Sequence, residues 1–375
     1  MARRLTLLAG ALSFLFACVG PEPKPDSPPT WVTVPASAPS IQYTGRVERS
    51  SASAVFSYPG VSIKVRFQGD ALELLLKDHG AGDERTTNYY QVILDGGTPV
   101  KLAVRANQTV YELAKNLPPG EHTVELIKLT ETSVGRSELQ GFRVHGRLLE
   151  PPARPTGRLE FIGDSITCGY GTEVSLTEAQ NPGTGFHSIH QNVTRAYGWL
   201  TARELGAEAV TVCYSGRGVY RNNTGSTLDT VPQLYDHVLP GQSASRWDFT
   251  RHAPDIVVIN LGTNDFFLGT PDATRFMSAY KDFLTRLRGH YPQARMICAV
   301  GPMLSDAWPP GQYQWTTLQG WVSSVVKDFN DRGDTRVHYL AFERQTEPYG
   351  EDWHPSATTH AAMASRLASF IRSLK

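Results

Sequence analysis

Hydrophobic and polar residues alternate through Ile41–Gly146 in short runs broken by turn-forming residues. The runs Val61–Phe67, Ala71–Asp78, Tyr89–Asp95, His122–Leu129 and Leu139–Gly146 have the period of two that places one face of a strand inward. Pro59-Gly60, Gly69-Asp70, Asp95-Gly96-Gly97 and Pro118-Pro119-Gly120 read as the turns between them. No apolar helical period persists here, so residues 41–150 are predicted to form a jelly-roll β-sandwich. Glu150–Pro155 reads as a short rigid linker.

Beyond Thr156 the pattern changes. Arg158–Gly163, Ala207–Tyr214, Asp255–Gly262, Arg295–Pro302 and Arg336–Phe342 are compact apolar runs, as expected of strands covered on both faces. Between them, Ala273–His290 places Phe276, Tyr280, Phe283, Leu284 and Leu287 on one helical stripe. The segment after Pro355 does the same with Met363, Leu367, Phe370, Ile371 and Leu374. This alternation predicts a three-layer α/β domain over residues 156–375 with a parallel five-stranded sheet. Ligands of such sheets bind beyond the carboxyl ends of the strands.

Composition narrows the function classes. The 375 residues carry 36 Lys+Arg and 36 Asp+Glu, an even balance that argues against a nucleic-acid binder. A hydrophobic fraction of 40% with mean hydropathy −0.29 excludes a polytopic membrane protein and a disordered chain. The one membrane-directed feature is N-terminal. Arg3 and Arg4 precede an uncharged run, Leu5–Ala17, which is too short to span a bilayer and reads as a secretory signal over residues 1–18.

Leu15-Phe16-Ala17-Cys18 resembles a bacterial lipobox, in which Cys18 would be lipidated. The expected location is therefore secreted or anchored at the cell surface or outer membrane, with membrane contact only through that lipid. Seven prolines in residues 19–40 predict an extended spacer. Cys168, Cys213 and Cys298 form no CxxC pair. Buried free thiols are expected of them, with a Cys168–Cys213 bridge as the alternative in an oxidising compartment.

The chemistry lies at the predicted strand ends. The first α/β strand runs into Gly163-Asp164-Ser165, a tight turn that exposes a serine hydroxyl beside helix N–H groups, although Asp-Ser is also a common helix N-cap. The second strand ends at Ser215-Gly216-Arg217-Gly218 and the third at Gly262-Thr263-Asn264-Asp265, offering backbone and amide donors. Asp352-Trp353-His354-Pro355 places a histidine just before the last helix. His187 and His190 have helix-like spacing without a carboxylate nearby in the sequence, so they read as loop residues and no metal is expected.

The order Ser, Gly, Asn, Asp/His resembles the SGNH (GDSL-type) hydrolases over about 220 residues, Arg158–Lys375. The longer string Phe161–Gly171, with the Ser215–Gly218 loop and Asp352–Ser356, resembles more narrowly carbohydrate esterase family 2, acetyl xylan esterase-like enzymes that join a jelly roll to an SGNH domain. The resemblance implies Ser165 as nucleophile and His354 as general base. It also implies an oxyanion hole from the Ser165 amide, the Gly216 amide (Gly218 being the alternative) and the Asn264 side chain. Asp352 is the candidate to orient the imidazole, although it lies two residues before His354 where the general pattern has three, and a Ser–His dyad oriented by a carbonyl is the other form. Trp308 and Trp353 are candidate sugar platforms, and Tyr313 and Trp315 share the loop of Trp308.

The implied activity is removal of O-acetyl groups from xylan- or glucomannan-type polysaccharide by a monomer that uses no cofactor. Two alternatives stand beside it: a lipase or thioesterase for longer acyl chains, and a carbohydrate-binding surface lipoprotein with a vestigial hydrolase domain.

Overall fold

The computed structural model describes residues 30–374. The signal segment 1–18, Cys18 and most of the prolines of the spacer lie outside these residues. Ten strands form an antiparallel all-β unit: β1 (Trp31–Pro35), β2 (Gln42–Thr44), β3 (Glu48–Arg49), β4 (Ala54–Phe56), β5 (Ser62–Asp78), β6 (Tyr89–Leu94), β7 (Val100–Ala103), β8 (Val110–Ala114), β9 (Glu121–Lys128) and β10 (Ser137–Leu149). Strand β1 begins inside the stretch assigned above to the spacer. Its alternating Trp-Val-Thr-Val pairs with residues 141–145 of β10, and Pro35 ends it where the missing N–H costs least.

The predicted turn at Gly69-Asp70 is instead the middle of one long strand. Ile63, Val65 and Phe67 point into the core before it, and Leu72, Leu74 and Leu76 after it. The inward set thus passes from odd to even numbers, which a regular strand of period two cannot do. A bulge supplies the extra residue, where β5 shifts register against β10 near Gly146. A Cβ on Gly69 would stand 2.0 Å from the His145 carbonyl oxygen, and one on Gly146 2.0 Å from that of Gln68, so this kink admits only glycine.

The second unit has five parallel strands: β11 (Gly157–Gly163), β12 (Ala207–Cys213), β13 (Ile256–Asn260), β14 (Arg295–Val300) and β15 (Val337–Ala341). Their order is β12-β11-β13-β14-β15. Its helices are α1 (Ser165–Cys168), α2 (Tyr197–Glu204), α3 (Val231–Leu234), α4 (Ala273–His290), α5 (Gln314–Asp331) and α6 (Ala357–Ser373). Val257 and Ile259 pack with Phe276, Phe283 and Leu318 under α4 and α5. Val258 points the other way, into the layer of Tyr197, Met363 and Leu367 under α2 and α6. Both faces of the sheet are therefore covered, as its apolar strands require. Among the described residues no helix is long and apolar enough to cross a membrane.

The two units are joined through buried charge. Arg46 of the β unit pairs with Glu160 of β11 at 3.0 Å, with both side chains sealed from water (0% and 2% exposed). The guanidinium also donates to the Tyr235 and His237 carbonyls and lies over the Tyr235 ring. Removing one member of such a pair strands the other charge, so Arg46→Met is expected to lower stability by about 3–5 kcal/mol in urea denaturation.

Candidate active site

In the sheet register Gly163 stands beside Cys213 on one side and Asn260 on the other, so the segments following β11, β12 and β13 emerge together. Strand order reverses between β11 and β13, and a crevice opens there. Asp164 caps the single turn of α1, accepting from Ile166 N at 3.0 Å, and the turn lifts Ser165 to the crevice floor. Asn264, in the turn after β13, donates to the Arg217 carbonyl at 3.0 Å and to Asp164 Oδ2 at 3.2 Å. Asp265 beside it accepts from the backbone N–H groups of Val219, Tyr220 and Arg221 at 2.9, 2.8 and 2.8 Å, holding the loop after β12 in place.

His354 follows β15, at the far edge of the sheet, yet its Nε2 lies 2.8 Å from Ser165 Oγ. The segment carrying it is drawn back across the strand ends by the excursion between α1 and α2. Leu176 and Tyr349 exchange two backbone hydrogen bonds of 2.7 Å, and Asn181 Nδ2 donates to the Gly350 carbonyl at 2.6 Å. Gly171 (φ 63°) lies so close that a Cβ there would meet Glu351 N at 2.4 Å.

The imidazole is oriented from behind by a backbone group: Nδ1 lies 2.9 Å from the Glu351 carbonyl oxygen. Asp352 is therefore not the orienting acid considered from the sequence. Its backbone is left-handed (φ 48°), which turns the carboxylate away from the ring. There it accepts from the Tyr170 hydroxyl at 2.5 Å and the Gly185 amide at 2.8 Å. The Asp352 carboxylate acts on the imidazole by its charge and through Tyr170, whose ring stacks on the His354 ring at 3.9 Å.

Ser165, Gly216, Asn264 and His354 line one cleft of about 490 Å³. Gly218 does not line it, and its N–H is already given to Asn222 Oδ1 at 3.2 Å. Of the two glycines left open by the sequence, Gly216 (φ 76°) is the one in the site.

Residues 43–152 match the family described as carbohydrate esterase 2 N-terminal, and residues 161–362 match the GDSL-like lipase/acylhydrolase family. The chain belongs to carbohydrate esterase family 2. It is 36% identical over 338 residues to the cellulase/esterase CelE of Acetivibrio thermocellus, covering 89% of this chain but only 39% of that protein. It is 30% identical to an acetylxylan esterase / glucomannan deacetylase of Cellvibrio japonicus, covering 91% of both. A solved family two carbohydrate esterase from Clostridium thermocellum, in complex with cellohexaose, superposes with a TM-score of 0.80 at 36% identity, covering 89% of this chain and 98% of that one.

Three features of this esterase-family site differ from the sequence expectations or were missed by them. Cys168 and Cys213 form a disulfide, with Cα atoms 5.6 Å apart, rather than two free thiols. The parallel register sets the end of β12 beside β11, and the one turn of α1 folds Cys168 back over it. Cys298 remains a buried thiol, pushed up to about 12 by burial.

Second, Glu131, in the turn between β9 and β10, enters the site from the β unit. It is buried and accepts from Ser215 N at 2.8 Å and Ser215 Oγ at 2.5 Å, anchoring the loop that carries Gly216. Burial raises its carboxyl, and the Ser215 hydrogen bonds offset this only in part. No local pattern marks Glu131, since its partner is 84 residues away.

Third, His187 and His190 do have a carboxylate neighbour, Glu351, brought by the same fold of the chain. Trp308 and Trp353 are exposed (72% and 39%) and do not form the wall of the cleft. Trp315 is not a loop residue but sits in the first turn of α5, packed against the core.

The environment of His354 sets its protonation. Burial drives its pKa down to about 4, because the low-dielectric site disfavours the imidazolium; the carbonyl at Nδ1 and nearby Asp352 only partly oppose this. A general base works unprotonated, so the acid limb of kcat/KM is expected near pH 4 rather than at the ordinary histidine value of 6.5, as read from a pH–rate profile. For Asp352, burial pushes the carboxyl up, but the Tyr170, Gly185 and His354 interactions more than offset it, leaving it below its ordinary value. Because a carbonyl orients the imidazole, Asp352→Ala is expected to cost far less kcat than the roughly 10⁴ lost where a carboxylate does so.

Proposed function

We propose that this protein is a serine esterase that removes O-acetyl groups from xylan- or glucomannan-type polysaccharide through an acetyl-enzyme. The observation that carries the reading is the 2.8 Å contact of Ser165 Oγ with His354 Nε2. A serine hydroxyl is a weak nucleophile until a base accepts its proton. Here His354 takes that proton as Oγ bonds to the acetyl carbon, and the carbonyl oxygen becomes an oxyanion. The donors for it are the Ser165 and Gly216 amides and Asn264 Nδ2, which gives up its longer bond to Asp164 Oδ2. The oxyanion collapses, the bond from the acetyl carbon to the sugar oxygen breaks, and the imidazolium gives its proton to that oxygen, which leaves as the sugar hydroxyl. Water then repeats the sequence on the acetyl-serine and releases acetate.

The likeness to an acetylxylan esterase / glucomannan deacetylase supports this substrate class. The exposed rings of Trp308 and Trp353 are suited to stacking on sugar faces outside the cleft. An extracellular or surface-anchored location is supported by the Arg-led apolar N-terminal run and by the disulfide, a bond favoured in oxidising compartments.

Hydrolysis of p-nitrophenyl acetate without added metal is expected, and Ser165→Ala should abolish it; activity within about tenfold of wild type would remove Ser165 from the mechanism. Asn264→Ala is expected to lower kcat by about 10²–10³ if it donates to the oxyanion. Acetate release from acetylated xylan, acetylated glucomannan and simple sugar acetates sets the substrate, and a preference for octanoyl over acetyl esters would overturn the acetyl assignment.

A further inference from the structure

Behind the turn that carries His354, two imidazoles converge on one carboxylate oxygen. Glu351 Oε1 lies 2.8 Å from His187 Nδ1 and 2.5 Å from His190 Nδ1. The other oxygen, Oε2, accepts from the backbone N–H of His187 at 3.2 Å. The Glu351 side chain is sealed from water (2% exposed), whereas His187 and His190 are 22% and 35% exposed, so the cluster opens to solvent on the imidazole side. The three ligand atoms lie within 4.8 Å of one another.

His187 is also faced by a carboxylate at its other nitrogen, with Nε2 3.3 Å from Glu84 Oε1. A neutral imidazole donates from one nitrogen only. An imidazole that binds a cation through Nδ1 donates from Nε2, and a carboxylate receiving that proton is the usual outer partner of a metal-bound histidine. We propose that His187, His190 and Glu351 bind one divalent cation of the zinc class, leaving a fourth position open to water.

Two imidazoles and a carboxylate suit zinc, cobalt or nickel, whereas magnesium and calcium require oxygen ligands. Bonds of about 2.0–2.1 Å place tetrahedral ligand pairs about 3.3 Å apart, so seating the ion asks each imidazole to retreat by less than about 1 Å. The half-exposed rings leave room for this. The cation ties residues 187–190 to Glu351, whose carbonyl orients His354. It is a clamp on the site and takes no part in the bond changes at Ser165.

The test reads binding directly, apart from ester hydrolysis. The protein is stripped with EDTA, dialysed and titrated with ZnCl₂ by calorimetry, with the visible absorption of tetrahedral Co²⁺ as a second readout. The expected result is one Zn²⁺ per chain, a raised Tm in Zn²⁺ and no comparable effect of Mg²⁺. His190→Ala, which alters the most exposed ligand, is expected to weaken binding more than about 100-fold, since even outer partners of metal ligands contribute about 10–100-fold. No stoichiometric uptake by the wild-type protein, or uptake that His190→Ala leaves unchanged, overturns the proposal. The wild-type titration decides this whether or not the variant folds.

Discussion

The geometry of the site depends on the hydrogen bond between His354 Nδ1 and the Glu351 carbonyl. It sets which way the imidazole faces, and so whether Nε2 points at Ser165. A backbone carbonyl cannot swing as a side chain can, but it must be held by the conformation of its own turn. Here Asp352 and Trp353 both adopt left-handed φ, at 48° and 57°, which costs a non-glycine residue about 1–3 kcal/mol. Such a turn persists only where its surroundings determine it. The Leu176–Tyr349 bonds, the Asn181–Gly350 bond, the close approach of Gly171 and the bond from Gly350 N to the His354 carbonyl at 2.7 Å do so.

That arrangement explains why the aspartate beside the histidine is displaced from the role its position suggests. The turn that aims the Glu351 carbonyl at the ring turns the Asp352 carboxylate outward, where it holds the Tyr170 hydroxyl. Tyr170 in turn covers one face of the imidazole. The ring is thus bounded by a carbonyl at one edge, a hydroxyl at the other and an aromatic face. Water is excluded from most of it, which is why the neutral form is favoured.

The β unit is part of the machinery rather than an appendage. Glu131 reaches from between β9 and β10 to fix the loop of Gly216, and Arg46 closes a buried ion pair on Glu160 in the first strand of the parallel sheet. A loop after a strand is mobile unless its backbone groups find partners. Asp265 supplies them from one side of this loop and Glu131 from the other.

Local pattern sufficed for the two-unit architecture, the five parallel strands, α4 and α6, because apolar periodicity is written in neighbouring residues. It also placed Ser165, Gly216 and Asn264 at strand ends and His354 just before the last helix, where short motifs mark them. It did not disclose that β5 runs through Gly69, since a bulge and a turn share the same glycine chemistry. Nor did it disclose the Cys168–Cys213 bond, the reach of Glu131 or the meeting of Glu351 with His187 and His190. Each of these joins residues 45 to 164 positions apart. Such contacts exist only after strand register and loop bracing have closed the chain on itself, and no local sequence pattern encodes that closure.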